Sequence, residues 1–320
     1  MKVLITGSAG FIGSHVSEYF LSQGHEVIGI DNLDPFYSKE RKNQNLSISL
    51  KNKKFTFLEL DITNEKAFAS LPSGIDLVIH LAAKAGVRPS ILDPQAYTET
   101  NIKGTLNILE WMKQSKITKM VFASSSSVYG NNKKVPFAET DVVDFPISPY
   151  AFTKKACELL NHTYHHLYNF DIVNLRFFTV YGPRQRPDLA IRKFVDLISN
   201  DKPIHLFGDG STARDYTFIN DTRNGIYSAC NYVMSNKNVF EIINLGNNNP
   251  VKLNELVDCI ATTLNKKPLI VREPMQPGDV DLTFANIEKA KKLLNYDPST
   301  SLRDGIAAFI NWFNNEATPQ

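Results

Sequence analysis

Short apolar runs rich in β-branched residues alternate with longer amphipathic runs through the first half of the chain. The apolar runs predict strands, and the amphipathic runs predict helices. The predicted strands cover residues 2–6, 25–31, 54–60, 76–81, 119–124 and 171–177. The predicted helices cover about residues 11–23, 37–50, 64–70, 93–115 and 150–169. This alternation is typical of an α/β fold with a doubly wound parallel sheet and right-handed crossovers.

The pattern changes after residue 178, where segments rich in proline and glycine replace the regular alternation. One further apolar run, at 242–245, predicts a strand that returns to the main sheet. Further helices are predicted at about residues 191–200, 220–235, 252–265, 286–294 and 302–315. The second half therefore predicts a smaller, mixed α/β region beside the main sheet.

The composition narrows the class of protein. The chain has 320 residues, of which 42% are hydrophobic, so it can bury the core of one large or two interlocked domains. Lysine and arginine number 35 against 33 acidic residues, so no basic field for nucleic acid is expected. No apolar stretch reaches the roughly 18 residues of a membrane span, so no membrane partner is expected.

The cysteines indicate a reducing compartment. Cys157, Cys230 and Cys259 are far apart, odd in number and without the spacing of metal ligands. We expect core thiols, with neither disulfides nor a metal site. Met1 leads directly into the first predicted strand, and no leader pattern is recognised, so a cytoplasmic protein is expected.

A glycine-rich turn follows the first predicted strand. Gly7, Gly10 and Gly13 are spaced three apart, and Phe11 and Ile12 begin the helix that follows. A strand, a tight turn and a helix N-terminus together suit a pyrophosphate, because the turn leaves backbone N–H groups free. The spacing differs from the G-x-G-x-x-G of typical dehydrogenases, so the turn needs partners elsewhere in the chain.

One such partner is Asp31, which ends the second predicted strand and is followed by Asn32. A carboxylate about 20 residues after the glycines suits the 2′-hydroxyl of an adenosine ribose and would repel a 2′-phosphate. The sequence therefore favours NAD over NADP as the cofactor. The alternative is that Asp31 only caps the loop that follows it.

Candidate reacting groups follow the strand at 119–124. Tyr150 and Lys154 are four residues apart, so they share one face of the predicted helix. A tyrosine base must lose its proton, and an adjacent ammonium favours the phenolate. Ser125 and Ser127 follow the strand, and a serine hydroxyl there could hold or pass the proton of a sugar hydroxyl. The choice between these two serines stays open.

These residues, taken in this order, resemble the extended short-chain dehydrogenase/reductase family over almost the whole chain. The resemblance implies NAD contacts at Asp61, Ile62, Lys84 and Asn101, in addition to the glycine turn, Asp31, Asn32, Tyr150 and Lys154. The segment 207–216 is similar to that of the nucleotide-sugar branch, which binds UDP-sugars. That similarity implies that Arg214 holds the UDP pyrophosphate. The wider family resemblance implies further substrate contacts at Asp279, Arg192 and Arg88.

The segment 176–188 resembles the corresponding segment of UDP-glucuronate 4-epimerases. By this resemblance, Thr179 and Arg186 would hold the C6 carboxylate of a uronate. One departure is the pair Arg184 and Gln185, where typical uronate epimerases have a tryptophan and a small residue. Related Pro-Arg-Gln segments occur in epimerases of N-acetylated sugars. Arg186 could therefore instead be a surface arginine or an arginine that binds the pyrophosphate.

The resemblance implies 4-epimerisation through a transient 4-keto sugar, with tightly bound NAD recycled in each turnover. Ser126 and Ser127 stand where family dehydratases carry an acidic pair, so the groups for elimination are missing. UDP-glucuronate is the favoured substrate. Alternatives are 4-epimerisation of UDP-glucose or a UDP-N-acetylhexosamine, net oxidation or reduction, and a non-catalytic NAD-binding protein.

The same resemblance suggests domain limits and an assembly. An NAD-binding Rossmann domain would cover 1–178, with 216–246 returning to it, and the nucleotide-sugar domain would comprise 179–215 and 247–320. The helices near 97–115 and 150–169 carry apolar residues beyond one stripe. In the family this helix pair forms the contact between two copies, so a homodimer is expected.

Overall fold

The computed structural model of the chain describes residues 1–274 and 282–316. The strands in this part of the chain are β1 (Lys2–Thr6), β2 (Glu26–Asp31), β3 (Phe55–Glu59), β4 (Leu77–His80), β5 (Lys119–Ser125), β6 (Asp171–Phe177), β7 (Thr179–Tyr181), β8 (Ile204–Phe207), β9 (Ala213–Phe218), β10 (Phe240–Leu245), β11 (Pro250–Lys252), β12 (Ile270–Glu273) and β13 (Leu282–Thr283). The α-helices are α1 (Phe11–Ser22), α2 (Lys39–Leu46), α3 (Val87–Leu92), α4 (Pro94–Tyr97), α5 (Gly104–Gln114), α6 (Pro149–Tyr168), α7 (Ala190–Ser199), α8 (Ile219–Ser235), α9 (Leu253–Leu264), α10 (Glu288–Leu294) and α11 (Leu302–Glu316).

Seven strands form one parallel sheet in the order β10-β6-β5-β4-β1-β2-β3. The predicted doubly wound parallel sheet is confirmed, and so is the return of the strand at 242–245 to it. The strand order reverses between β1 and β4, and such a reversal opens a crevice at the carboxyl ends of the strands. The fold therefore places a binding site beside the ends of β1 and β4.

Alternate residues of the strands face two separate apolar layers. In β1, Val3 and Ile5 pack in the layer that also contains Phe20 of α1 and Ile226 of α8. Leu4 faces the opposite layer, which contains apolar residues of α5 and α6. Burial on both faces explains why the strands read as continuous apolar runs in the sequence.

Three predicted helices are divided or tightened in the structure. The predicted helix at 37–50 is replaced by α2 and a short 3₁₀-helix, Ser49–Lys51, and the predicted helix at 64–70 by a 3₁₀-helix, Glu65–Ser70. The predicted helix at 93–115 is divided into α4, a π-helical turn at Thr98–Lys103, and α5. Such turns often occur at functional sites, and this one contains Asn101.

The part after β6 contains short strands that the hydrophobic pattern does not predict. β9 pairs with β7, β11 and β13, and β8 pairs with β12. Each has only two to six residues and pairs with distant segments, so local periodicity carries little signal. Residues 216–218 lie in β9 of this small sheet, whereas β10 lies in the main sheet. The proposed domain limits themselves stay predictions.

Candidate active site

A cavity of about 770 Å³ opens at the carboxyl edge of the main sheet. Most of the site residues predicted from the sequence line its wall. They are Gly7, Gly10, Phe11, Ile12, Gly13, Asp31, Asn32, Ile62, Lys84, Ser125, Ser127, Tyr150, Lys154, Thr179 and Arg186. One cavity therefore joins the glycine turn, the candidate reacting groups and the candidate carboxylate site.

The glycine turn has no room for side chains. Gly7 has φ +71°, and a Cβ atom on it would lie 2.9 Å from the backbone nitrogen of Ala82. A Cβ atom on Gly13 would lie 2.0 Å from the Gly7 oxygen. Gly10 precedes α1 and provides no side-chain cap for the first N–H groups of the helix. This cradle fits the pyrophosphate of a dinucleotide.

Asp31 is held at the end of β2 by three donors. Its Oδ1 atom accepts hydrogen bonds from the Leu33 N–H at 2.8 Å and from Lys42 Nζ at 3.3 Å. Its Oδ2 atom accepts one from the Ala9 N–H at 3.2 Å. A carboxylate oxygen can accept two hydrogen bonds, so Oδ2 keeps capacity for a ribose hydroxyl. Lys42 was missed in the sequence because nothing local marks it.

Asn101 lies behind the cavity wall and supports Lys84. Its Oδ1 atom accepts from the Lys84 N–H at 2.8 Å, and its Nδ2 donates to the Lys84 oxygen at 3.0 Å. The Lys84 ammonium bonds to Asp34 at 2.9 Å. Asp61 accepts from Asn32 at 2.8 Å. Burial alone would raise the pKa of Asp61, but hydrogen bonds from the Thr63 N–H and from Asn32 lower it. Asn101 and Asp61 therefore do not line the cavity themselves, but they hydrogen-bond to Lys84 and Asn32, which do.

Tyr150 and Lys154 are presented by the first turns of α6. The helix begins with Pro149, and Ser148 caps it by accepting from the Ala151 N–H. Lys154 Nζ donates to the Ala123 oxygen at 2.7 Å. Burial lowers the pKa of Lys154 to about 8, while the nearby Glu158 carboxylate acts in the opposite direction.

The surroundings of Tyr150 differ from the sequence expectation. Burial raises the pKa of its phenol, and the hydrogen bond with Ser125 and the charge of Arg186 act in the opposite direction. The Lys154 ammonium, expected to favour the phenolate, is instead held at the end of β5. Ser125 Oγ donates to Ser127 Oγ at 3.1 Å, so both serines belong to one hydrogen-bonded group.

The candidate carboxylate site lies in the same cavity. Arg186 donates from Nε and Nη2 to Asp188 at 3.0 and 2.7 Å, and from Nη1 to the Ala85 oxygen at 3.2 Å. Its guanidinium lies 5.0 Å from the centre of the Phe36 ring. Thr179 begins β7 and lines the same wall. Asp188 thus accepts from the Nε–Nη2 edge of the guanidinium, and the Ala85 oxygen accepts from Nη1.

Three arginines predicted to bind substrate do not line the cavity. The Arg192 guanidinium lies 4.9 Å from the Trp312 ring and donates to the Gln185 oxygen at 3.3 Å. Arg214 donates to the oxygen of the preceding residue in β9, and Arg88 lies over the ring of Phe207. Asp279 lies outside the described residues. Substrate contacts at these four positions stay predictions.

A buried ion pair behind the reacting groups was also missed. Arg176 donates to both carboxylate oxygens of Glu158, at 2.8 Å each, and Ser124 Oγ donates to the same carboxylate at 2.6 Å. Glu158 lies one helical turn after Lys154, a spacing that could have indicated it. The pair joins α6 to the ends of β5 and β6, and thereby holds the reacting groups in place.

Over residues 1–274 and 282–316, no helix is long and apolar enough to cross a membrane. The same residues contain no group of three or more His, Cys, Asp or Glu that could hold a metal ion.

The chain is similar to known proteins over almost its whole length. The family model described as GDP-mannose 4,6 dehydratase matches residues 4–309. A UDP-glucuronate 4-epimerase from Thermodesulfobacterium geofontis is 44% identical over 312 residues, covering 97% of this chain and 95% of that protein. The chain therefore belongs to the extended short-chain dehydrogenase/reductase family, in the group that this model describes.

Two solved structures are similar over nearly their whole length. UDP-glucuronic acid 4-epimerase from Bacillus cereus, in complex with UDP-glucuronic acid and NAD, has a TM-score of 0.91 and 36% identity, and covers 99% of this chain and 100% of that chain. UDP-glucose 4-epimerase from Thermotoga maritima, with UDP-glucose, has a TM-score of 0.87 and 31% identity, with the same coverage.

Proposed function

We propose that this protein is an NAD-dependent isomerase that converts UDP-glucuronate to UDP-galacturonate by 4-epimerisation. The observation that carries the proposal is the single cavity that contains Tyr150, Ser125, Thr179 and Arg186 beside the glycine cradle. The similarity to UDP-glucuronate 4-epimerases from two bacteria supports the same substrate.

The chain's own groups would hold and move protons. Tyr150 accepts the proton of the sugar 4-hydroxyl, and the Ser125–Ser127 pair holds or passes that proton. Bound NAD supplies a hydride acceptor, later a hydride donor, and a positive charge. Lys154, buried and bonded to the end of β5, would contact the bound cofactor.

The residues beside the reacting groups favour epimerisation over elimination. Loss of water would need a second acid and base, and Ser126 and Ser127 offer no carboxyl group where dehydratases carry theirs. The 4-keto sugar would therefore rotate and recover its hydrogen on the other face.

Arg186 and Thr179 would hold the C6 carboxylate near the plane of the 4-keto group. A 4-keto uronate is a β-keto acid, and it loses CO₂ most readily when its carboxylate lies perpendicular to that plane. A charge-assisted contact at Arg186 would therefore select a uronate and protect it from decarboxylation.

The test is incubation of the purified protein with UDP-glucuronate, without added NAD, followed by NMR of the sugar. Appearance of UDP-galacturonate is the expected result. Conversion of UDP-glucose or UDP-N-acetylglucosamine alone would keep the chemistry and reject the uronate. A requirement for added NAD in stoichiometric amounts would indicate net oxidation instead.

We also propose a homodimer in the cytoplasm. The helices α5 and α6 expose large apolar side chains at Leu106, Phe152, Leu159 and Leu167. Exposed apolar groups on neighbouring helices are typical of a protein–protein contact. The free thiols of all three cysteines agree with a reducing compartment. Sedimentation equilibrium would test the dimer.

A further inference from the structure

The turn that precedes Arg186 contains a strained residue. The Gln185 N–H donates to the Gly182 oxygen at 3.1 Å, which closes a turn over residues 182–185. Pro183 takes the second position, and Arg184 takes the third with φ +67°. A positive φ at the third position normally requires glycine or asparagine, and it costs another residue about 1–2 kcal/mol. Surrounding contacts must therefore hold Arg184 in this conformation.

Those contacts come from α1, the helix that follows the glycine turn. Arg184 donates from Nη1 to Glu18 Oε1 at 2.7 Å and from Nη2 to Glu18 Oε2 at 3.2 Å. The side chains of Arg184 and Glu18 are only 14% and 23% exposed. A bidentate pair of this kind is among the stronger charge-assisted contacts in proteins. We call it the Glu18–Arg184 clasp.

A second side chain of α1 holds the backbone of the same turn. His15 Nε2 donates to the Pro183 oxygen at 3.0 Å, since a carbonyl oxygen can only accept. Burial lowers the pKa of His15 to about 3, and the charges of Arg184 and Arg223 act in the same direction. His15 is therefore neutral at ordinary pH, and the turn is attached to α1 at two points.

The clasp lies two residues from the candidate carboxylate site. Arg184 points to α1, whereas Arg186 lines the cavity. Gln185 between them is buried, and its Nε2 donates to the Val180 oxygen at 3.3 Å. One buried residue therefore separates the turn residue Arg184 from Arg186.

We propose that Glu18 and Arg184 are positioning residues that determine selectivity for the uronate. The clasp sets Arg186 relative to the helix that would hold the cofactor pyrophosphate, and this inference rests on the proposed function. An error of about 1 Å in a positioning group can cost far more than the lost contact itself. A neutral hexose has no carboxylate at C6, so its binding does not depend on this position.

The decisive variant is Arg184→Gly. Glycine adopts a positive φ without strain, so the variant keeps the turn and removes only the clasp. Glu18→Gln removes the same contact from the other side. The dissociation constants of UDP-glucuronate and UDP-glucose are measured by calorimetry on NAD-loaded protein. The two variants should change the first constant much more than the second. We expect the affinity for UDP-glucuronate to fall at least about fivefold in both variants and the affinity for UDP-glucose to change less than about twofold.

Two further measurements separate positioning from a general loss of structure. Hydrogen exchange of the peptide over residues 182–189 should be faster in both variants, while thermal stability and NAD content stay near wild type. Exchanging the charges, with Glu18→Arg and Arg184→Glu together, should restore part of the UDP-glucuronate affinity. The matched control is Glu26→Gln, which removes a surface ion pair with Lys2 and should change the affinity for neither ligand.

The outcomes distinguish the two proposals. If the wild-type protein does not convert UDP-glucuronate, the proposed function fails and the selectivity role falls with it. If wild type converts it but the variants bind both sugars equally well, or lose both equally, only the clasp proposal is overturned. Unchanged exchange in the 182–189 peptide would overturn it as well.

Discussion

Lys42 and Asp31 form a buried ion pair, with Nζ 3.3 Å from Oδ1 and each side chain only 7% exposed. The pair lies at the end of β2, where the adenosine ribose of a dinucleotide would be held. The Lys42 ammonium also lies 5.2 Å from the centre of the Tyr37 ring. Lys42 therefore connects the cofactor end of the cavity to the loop after β2.

Lys42→Met should loosen this end of the cavity. Removing one partner of a buried pair leaves a charge without compensation, so the free energy of unfolding should fall by about 3 kcal/mol. We also expect less NAD to remain bound after purification, measured by absorbance after denaturation. Lys39→Met is the control, because Lys39 lies on the same helix as Lys42 but its pair with Glu59 of β3 is exposed and worth at most about 1 kcal/mol. Equal effects of the two variants would reject the role of Lys42.

Tyr150→Phe should abolish turnover while the protein stays folded. The phenol oxygen is the only group of the residue that can accept the sugar proton, so kcat should fall at least about 100-fold. NAD content should stay near wild type, because the ring and Lys154 remain in place. Tyr168→Phe, on the same helix but half-exposed, is the control. Retained activity in Tyr150→Phe would exclude this base.

Arg186→Ala should change the choice of substrate. Loss of a charge-assisted contact should lower the affinity for UDP-glucuronate at least about tenfold and leave the affinity for UDP-glucose within about twofold of wild type. Calorimetry with both sugars measures this ratio. Arg214→Ala is an instructive comparison, since Arg214 lies away from the cavity wall in β9. An arginine that holds the shared pyrophosphate would affect both sugars alike.

His80 should make the fold sensitive to acid. It is buried, with Nδ1 2.7 Å from Thr6 Oγ1 and Nε2 3.1 Å from Thr105 Oγ1. Burial lowers its pKa from 6.5 to about 3, and the Lys154 charge acts in the same direction. Below pH 6.5 the unfolded chain therefore binds a proton that the folded protein does not, and stability falls as the pH is lowered.

Between pH 7 and pH 5, the titration of this histidine should lower the free energy of unfolding by about 2 kcal/mol. Urea unfolding at the two pH values measures it. His80→Gln should be less stable at pH 7 but should lose less on acidification, whereas the exposed control His166→Gln should keep the wild-type slope. A slope that His80→Gln leaves unchanged would contradict the neutral, buried state of His80.

Much of the main sheet could be predicted because its signals are local. The strands are marked by continuous apolar runs. The turn before α1 is marked by Gly7 and Gly13, because a Cβ atom at either position would collide with the backbone. Tyr150 and Lys154 are neighbours on one helix, so their spacing alone places them together. The short strands after β6 were missed because their partners are far away in the chain.

The arginines show where local reasoning ends. Arg214 was expected to hold a pyrophosphate and Arg192 to line the nucleotide pocket, and both contacts stay predictions. In the structure Arg192 packs on Trp312, and neither arginine lines the cavity. Lys42 and Glu18 had no motif, yet they hold Asp31 and Arg184. Which side chains meet depended on how distant segments pack.

The sequence by itself determined the α/β class, the glycine cradle and the order of the reacting groups, because these depend on backbone periodicity and short spacings. Only the tertiary structure decided which charges are paired and buried, and which arginine faces the cavity. Burial and pairing depend on the surroundings of each side chain, and those surroundings come from segments far apart in the chain. The departure at Arg184 shows the difference, since its partner Glu18 lies 166 positions away.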